Sequence, residues 1–404
     1  MRKKRTLAGT AAFGLALALS LAACGTEDAG DDSSPDSASE GPGGFVPPDI
    51  AMADSLGDNE GTLSVLAWPG YAEDGSTDKA VDWVTPFEKQ TGCDVSVKYF
   101  NTSDEAVTLM KSGQYDVVSA SGDATLRLIA AGDVAPVNTD LIPNYADEYD
   151  FLKDRPWNSV GGQMYGVPHG YGANLLMYNT DVVKPAPTSW RAVFEDASTY
   201  SGKVTAYDSP IYIADAALYL MKTQPDLGIK DPYALDADQL AAAVDLLKAQ
   251  KEHVGEYWSD YLKEISAFES GDSVVGTTWQ VIVNYTKANV EAILPEEGAT
   301  GWSDTWMISS KTEVPNCAYA WLNHIISPEA NAAVAEWFGE APANPKACDL
   351  TSEGFCDGYH AGDESYADQI HYWTTPIEQC LDGRTDVSCT TYQDWTQAWT
   401  EIKG

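Results

Sequence analysis

The heptapeptide Thr-Leu-Ser-Val-Leu-Ala-Trp at residues 62–68 decides the fold. Its apolar residues alternate with small or polar ones, which is typical of a β-strand, and Pro69-Gly70 ends the strand. A helical pattern at residues 77–90 follows, then a strand pattern at residues 94–100 and a further helix and strand up to residue 120. This alternation of strands and helices predicts an α/β fold around a parallel sheet.

Ligand contacts are expected where these strands end, because parallel sheets bind ligands at the carboxyl ends of their strands. Trp68 and Tyr71 follow the first strand, and Ser121 and Asp123 follow the third. Asp208 ends a later strand in the same way. Turn formation or helix capping is an alternative role for these residues, and it is at least as common for Ser121 and Asp123.

A second decisive stretch, residues 293–306, joins an apolar strand to aromatic and acidic side chains. It places Trp302 two residues before Asp304. An indole attracts a cation through its quadrupole, and a carboxylate is a charge-assisted hydrogen-bond partner for an ammonium group. We therefore predict a cation site at Trp302 and Asp304. The alternative is a core tryptophan beside an aspartate that belongs to a turn.

Length and charge narrow the class of protein. The chain has 404 residues, more than one core usually serves, so two lobes are expected. The glycine-rich residues 164–179 suit a crossing between lobes, where glycine gives backbone freedom, and His169 within them is interpreted as structural. The net charge of -37 argues against nucleic acid as a partner and favours a cationic or neutral ligand.

The N-terminus has the pattern of a secretion signal. A basic segment at residues 2–5 precedes an apolar one at residues 7–21, and Leu-Ala-Ala-Cys at residues 21–24 resembles a bacterial lipobox. That resemblance implies that residues 1–23 are a signal peptide and that Cys24 carries a lipid which tethers the exported chain to the membrane. Residues 24–60 are rich in Asp, Ser, Gly and Pro and predict a disordered acidic tether.

Six further cysteines in an exported chain suggest disulfides. Cys348 with Cys356 and Cys380 with Cys389 are candidates for short loops, which leaves Cys93 and Cys317 as a long-range pair. The sequence has no CxxC motif, and its histidines show no paired spacing, so we expect neither a metal nor a cofactor.

Several motifs in order resemble the spermidine/putrescine-binding class of solute-binding proteins of bacterial ABC transporters. They are AWPGY at 67–71, DWVTPFEK at 82–89, ASGDA at 120–124, AYDSPIYIADAA at 206–217 and PEEG at 295–298. The resemblance implies a two-lobed periplasmic-binding-protein fold, type II-like, with hinge strands and a cleft between the lobes. Lobe 1 would comprise residues 61–170 plus 305–344, and lobe 2 residues 171–304 plus 345–404.

The resemblance also implies a set of ligand-binding residues by position: Trp68, Tyr71, Ser121, Asp208, Trp279, Trp302 and Asp304. The chain departs from the family pattern at Asp123 and Glu340, which stand where aromatic residues are expected, and at Ile211, near an expected carboxylate. Compared with the family pattern, the site has one expected carboxylate fewer and two additional ones, and a cation still fits it.

The function expected from the resemblance is that of the extracytoplasmic binding component of an ABC importer. The protein would be a monomer that delivers a putrescine- or spermidine-like amine to the permease and ATPase subunits and performs no catalysis. Binding of 4-aminobutyrate, another amino acid or a sugar is the alternative. A secreted hydrolase is a remote one, because the sequence has neither a GxSxG nor an HExxH motif.

Overall fold

The computed structural model describes residues 44–404. The predicted signal peptide, the lipidation site at Cys24 and the first part of the predicted tether lie outside these residues. The strands are β1 Thr62–Ala67, β2 Asp94–Tyr99, β3 Val117–Ala120, β4 Val134–Ala135, β5 Ser159–Val160, β6 Gln163–Met164, β7 Gly166–Ala173, β8 Leu175–Asn179, β9 Val204–Tyr207, β10 Val254–Trp258, β11 Val275–Thr278, β12 Val290–Ile293, β13 Ala299–Ser309, β14 Ala341–Pro342 and β15 Ile370–Tyr372. The α-helices are α1 Val84–Thr91, α2 Ser103–Met110, α3 Gly122–Ala130, α4 Ile213–Thr223, α5 Ala237–Lys251, α6 Tyr261–Ser270, α7 Gln280–Tyr285, α8 Pro315–Ile325, α9 Pro328–Phe338, α10 Phe355–Gly358, α11 Glu364–Ala367 and α12 Tyr392–Lys403.

The larger sheet is the centre of the first lobe. Its strand order is β14-β7-β13-β3-β1-β2, and β4 and β15 also pair with β13. β1 runs parallel to β2 and β3, as the alternating pattern predicts, whereas β13 runs antiparallel to β3 and β7. The sheet is therefore mixed, because the chain returns through β13 after leaving the first lobe.

The smaller sheet is the centre of the second lobe, with strand order β10-β9-β11-β8-β12. The chain enters it where β7 passes directly into β8 and leaves it between β12 and β13. The predicted lobe boundaries at residues 170 and 304 fall inside β7 and β13, which pair with each other, so residues 171–173 and 299–304, which those bounds give to lobe 2, lie in the larger sheet of the first lobe. The C-terminal part serves both sheets, since β15 pairs with β13 while α12 packs on α5.

The first helix begins later than its sequence pattern predicts, at Val84 and not near residue 77. Asp74 and Asp78 accept hydrogen bonds from backbone N–H groups two residues on, at 2.9 Å each. Such turns offer the backbone an alternative to the helix. The predicted end of the helix is confirmed, because Gly92 caps it in the left-handed conformation with φ 74°.

All three predicted disulfides are confirmed. Cys93 is bonded to Cys317, and the two short loops are closed by Cys348–Cys356 and Cys380–Cys389. The first of these joins the start of β2 to α8 across 224 residues of sequence.

The part of the predicted tether that the structure describes is attached to the first lobe. The Glu60 carboxylate accepts hydrogen bonds from the backbone N–H groups of Asn316 and Cys317 at 3.0 and 2.9 Å. Further back, the Ala53 carbonyl accepts one from the Asn138 amide at 3.1 Å. Helices long and apolar enough to cross a membrane are absent from residues 44–404.

Candidate functional site

Two carboxylates meet at one tyrosine hydroxyl in the first lobe. Tyr71 follows β1 through a turn that is closed by its N–H and the Trp68 carbonyl, at 3.2 Å. Its hydroxyl lies 2.8 Å from Asp304 Oδ2 and 3.1 Å from Glu340 Oε2. A hydroxyl has one proton, so it satisfies one of the two acceptors at a time. We call Tyr71, Asp304, Glu340 and the adjacent His169 the acid cluster.

The local backbone places each carboxylate of the cluster. Asp304 lies in β13 opposite Gly170 of β7, directly before a shift in the register of the two strands. Glu340 comes directly before β14, and its carboxylate lies over Gly170, where a Cβ would be 2.0 Å from the Glu340 Cδ. Gly170 is therefore needed for space, and not for the hinge freedom that its sequence context suggests.

His169 belongs to this cluster although its sequence context suggests only a structural role. The side chain is fully buried, and its Nδ1 lies 3.2 Å from Glu340 Oε1, although the geometry is not that of a hydrogen bond. Its ring meets that of Tyr71 edge-on at 4.3 Å. Sequence reasoning missed this contact because nothing in the local pattern around residue 169 points to residues 71 and 340.

Burial controls the protonation of the cluster. It raises the pKa of Asp304 to about 6, and the neighbouring Glu340 charge adds to this, whereas Ser121, His169 and Tyr71 act in the opposite direction. Burial and the two carboxylates raise the pKa of Tyr71 well above its ordinary value, so Tyr71 remains a hydrogen-bond donor. A cation that reaches the cluster favours the ionised form of Asp304.

Aromatic rings from both lobes lie beside the acid cluster. Trp302 lies on Gly172 in the first lobe and meets Phe338 edge-on at 5.9 Å. Trp279, which follows β11 of the second lobe, meets Trp302 at 6.4 Å. The ring centroid of Tyr207, at the end of β9, lies 5.5 Å from that of Trp279. The rings form apolar walls at the meeting of the two lobes.

The tail contributes one of these rings, which the sequence could not assign. Trp373 stacks on Tyr207 with centroids 5.6 Å apart and an interplanar angle of 18°. Its carbonyl oxygen lies where a Cβ of Gly122 would be, at 1.7 Å, so only glycine fits at the start of α3. The segment after β15 thus contacts both lobes.

A hydrogen-bond chain at the crossing between the lobes orients Trp279. The indole N–H donates to Asn174 Oδ1 at 2.9 Å, and Asn174 Nδ2 donates to Thr300 Oγ1 at 2.7 Å. Thr300 in turn hydrogen-bonds to Asp215, whose pKa burial raises to about 8. Asn174 is the residue between β7 and β8, so a wall of the cleft is tied to the crossing itself.

The other predicted site residues have different surroundings. Trp68 packs on Phe100 with ring centroids 4.5 Å apart, and within the described part of the chain its indole N–H has no hydrogen-bond partner. Ser121 lies close enough to Asp304 for its hydroxyl to lower the pKa of that carboxyl. Asp123 is buried and accepts hydrogen bonds from both lobes. The Ser103 hydroxyl donates to its Oδ1 at 2.9 Å, and the Tyr392 hydroxyl donates to its Oδ2 at 3.4 Å.

Asp208 does not join the acid cluster. Lys403 donates to its Oδ2 at 2.9 Å, and the Trp399 indole donates to its Oδ1 at 3.3 Å. Its charge is balanced within the second lobe by a lysine that lies at the C-terminal end of α12. Asp208 is therefore not part of this site.

A family model described as bacterial extracellular solute-binding protein matches residues 82–355. The chain belongs to this family. This solute-binding protein is 25% identical over 374 residues to the putrescine-binding periplasmic protein SpuD of Pseudomonas aeruginosa, which covers 88% of this chain and 95% of the relative.

Solved structures show the same fold. A spermidine/putrescine ABC transporter protein from Listeria monocytogenes superposes with a TM-score of 0.69 at 18% identity, covering 85% of this chain and 99% of that one. A GABA receptor superposes with a TM-score of 0.64 at 19% identity, covering 85% and 98%. This solute-binding protein thus has the two-lobed α/β fold of periplasmic binding proteins.

Proposed function

We propose that this chain is the binding component of an ABC importer and captures a putrescine- or spermidine-like amine between its lobes. The observation that carries the proposal is the convergence of two buried carboxylates on Tyr71 beside Trp302. Among residues 44–404, neither Asp304 nor Glu340 forms an ion pair with a lysine or arginine. A buried carboxylate without a cation is costly, so a cationic ligand offsets that cost.

The aromatic walls suit the rest of such a ligand. A methylene chain packs on flat rings, and an indole face attracts a cation by about 0.5 to 2 kcal/mol. Because Trp302 belongs to the first lobe and Trp279 to the second, a ligand between them contacts both lobes and favours the closed state. SpuD is described as putrescine-binding and the Listeria protein as a spermidine/putrescine transporter protein, and both amines agree with this chemistry.

The proposal also covers how the protein delivers its ligand and where in the cell the protein lies. The chain would act as a monomer without catalysis and would pass its ligand to a permease driven by an ATPase subunit. A lipid on Cys24 would hold it on the extracytoplasmic face of the membrane. This part rests on the sequence of residues 1–24 and on membership of an extracellular family.

A ligand screen tests the proposal directly. Thermal unfolding of the purified protein is measured with putrescine, spermidine, cadaverine, 4-aminobutyrate, amino acids and oligosaccharides. At a hundredfold excess over Kd, a ligand stabilises the native state by about 2.7 kcal/mol. Stabilisation by the amines supports the proposal, whereas a response to sugars alone would overturn the cation site.

Variants locate the binding site. We expect Trp302→Ala and Asp304→Asn each to weaken amine binding at least about tenfold, because each removes a direct partner of the cation. Asp208→Asn is the matched control, since Lys403 already pairs with that carboxylate, and its affinity is expected to stay within about twofold. Unchanged affinity in both site variants would remove the assignment.

A further inference from the structure

The two carboxylates of the acid cluster converge on one point and do not mark two ends of a cleft. Asp304 Oδ2 and Glu340 Oε2 share the Tyr71 hydroxyl. Among residues 44–404 the second oxygens, Asp304 Oδ1 and Glu340 Oε1, are buried and accept no hydrogen bond of good geometry, although Ser121 lies near Asp304 and His169 Nδ1 lies 3.2 Å from Glu340 Oε1. A ligand bound here meets two carboxylates with its single cationic end.

We propose that this cationic end is a planar guanidinium or amidinium group, which Asp304 and Glu340 bind together beside Trp302. The inference rests on the proposed function and specifies its ligand class. The ligand is then an amine of putrescine-like length that carries a guanidino group at the end which enters the acid cluster.

The number and direction of the donors favour this class. A primary ammonium carries three N–H donors on one nitrogen and acts as a compact point charge. A guanidinium spreads up to five N–H donors in one plane over three nitrogens, and it binds carboxylates in a bidentate manner. Two carboxylates that each keep one oxygen without a well-aligned donor from residues 44–404 match the divergent edges of such a group.

The flat wall next to the acids favours the same class. Trp302 and Asp304 are two residues apart on β13, so their side chains leave the same face of the sheet. A guanidinium stacks on an aromatic face and is more weakly hydrated than an ammonium, which lowers the cost of burying it. The indole N–H of Trp302 has no hydrogen-bond partner among residues 44–404.

Glu340 is the specificity-determining residue in this proposal. Gly170 leaves space for its carboxylate, and His169 lies 3.2 Å from its Oε1 on one side while Tyr71 holds its Oε2 on the other. The carboxylate is thus fixed in position before a ligand arrives, which reduces the cost of binding.

The test compares ligands that differ only in the cationic group. Calorimetry measures butylamine against butylguanidine and putrescine against 4-aminobutylguanidine, with the wild-type protein and Glu340→Gln. We expect each guanidino compound to bind at least about tenfold tighter than its amine in the wild type. We expect Glu340→Gln to reduce that preference to about threefold or less, and Asp208→Asn to leave it unchanged.

The outcomes separate this inference from the proposed function. Equal or tighter binding of the amines overturns the guanidinium inference and leaves amine capture standing. Binding of neither series overturns amine capture itself. A preference that persists in Glu340→Gln overturns the role of Glu340, and the wild-type comparison decides the ligand class even if that variant fails to fold.

Discussion

The indole of Trp302 lies against Gly172, where a Cβ atom would come 2.8 Å from the ring atom Cζ2. Gly172 lies inside β7 and is not among the glycines with positive φ. The position therefore requires glycine for the close approach of a ring and not for a turn. We expect Gly172→Ala to displace the indole and weaken amine binding about tenfold, measured by calorimetry.

Gly57 supplies the control for that substitution. It also has no positive φ, and a Cβ there would make only an ordinary contact, 3.8 Å from Asn316 Oδ1. Gly57→Ala is expected to leave the affinity within about twofold of the wild type. Equal affinity of the Gly172→Ala and wild-type proteins would show that the position of Trp302 does not matter for binding.

The protonation of Asp304 predicts how amine binding depends on pH. Burial raises its pKa to about 6, and the titratable groups that interact with it include Tyr71, His169, Glu340 and Tyr207. Protonation removes the charge that attracts the amine, so affinity is expected to be nearly constant above pH 7. Below pH 6 it should fall about tenfold per pH unit, since one proton competes with the cation.

Calorimetry from pH 5 to pH 8 checks this dependence. In Asp304→Asn the weakened affinity should lose most of its pH dependence, because that side chain no longer titrates. A wild-type affinity that does not change between pH 5 and pH 7 would contradict the assignment of Asp304 as the anchor of the cation.

Asp215 predicts a separate effect on stability. Its folded-state pKa is raised to about 8 by burial, with a hydrogen bond from Thr300 acting in the opposite direction, whereas the unfolded chain titrates near the ordinary value of 3.8. Between these values the folded state holds a proton that the unfolded state has released. This group therefore lowers the free energy of unfolding as pH rises from about 4 to 8, by up to about 1.4 kcal/mol per unit.

Urea unfolding of Asp215→Asn isolates that contribution. The variant keeps a neutral side chain at every pH, so its stability should fall less steeply than that of the wild type between pH 5 and pH 8. Asp238→Asn, on the exposed first turn of α5, serves as the control. Parallel stability curves for wild type and Asp215→Asn would show that Asp215 titrates outside this range.

The fold follows largely from local patterns, because alternating strands and their turn residues are local properties. β1 and β2 lie within a few residues of the predicted ranges. The start of α1 differs from the prediction, because Asp74 and Asp78 form turns that compete with the helix. The antiparallel pairing of β13 with β7 depends on residues far apart in sequence, which no local pattern specifies.

The sequence predicts the site residues that follow the end of a strand, such as Tyr71 and Ser121, and those that stand two residues apart on one strand. Trp302 and Asp304 share one strand, so their proximity follows from a two-residue spacing. His169 contacts Tyr71 and Glu340 only through tertiary packing, and the role of Gly170 depends on what lies across the strand. The ion pair between Asp208 and Lys403 could not be predicted from local sequence either, since 195 residues separate the two.

The long-range disulfide Cys93–Cys317 should be the main covalent source of stability. In the chain-entropy description a cross-link stabilises by restricting the unfolded chain, more so for longer loops. The bond spans 224 residues, against 8 for Cys348–Cys356.

We expect the double variant Cys93→Ser/Cys317→Ser to lose about 5 kcal/mol of unfolding free energy, and Cys348→Ser/Cys356→Ser about 2 to 3 kcal/mol. Urea unfolding of both variants measures the difference. A smaller loss for the long loop than for the short one would show that residual structure in the unfolded chain, and not loop length, sets the contribution of each bond.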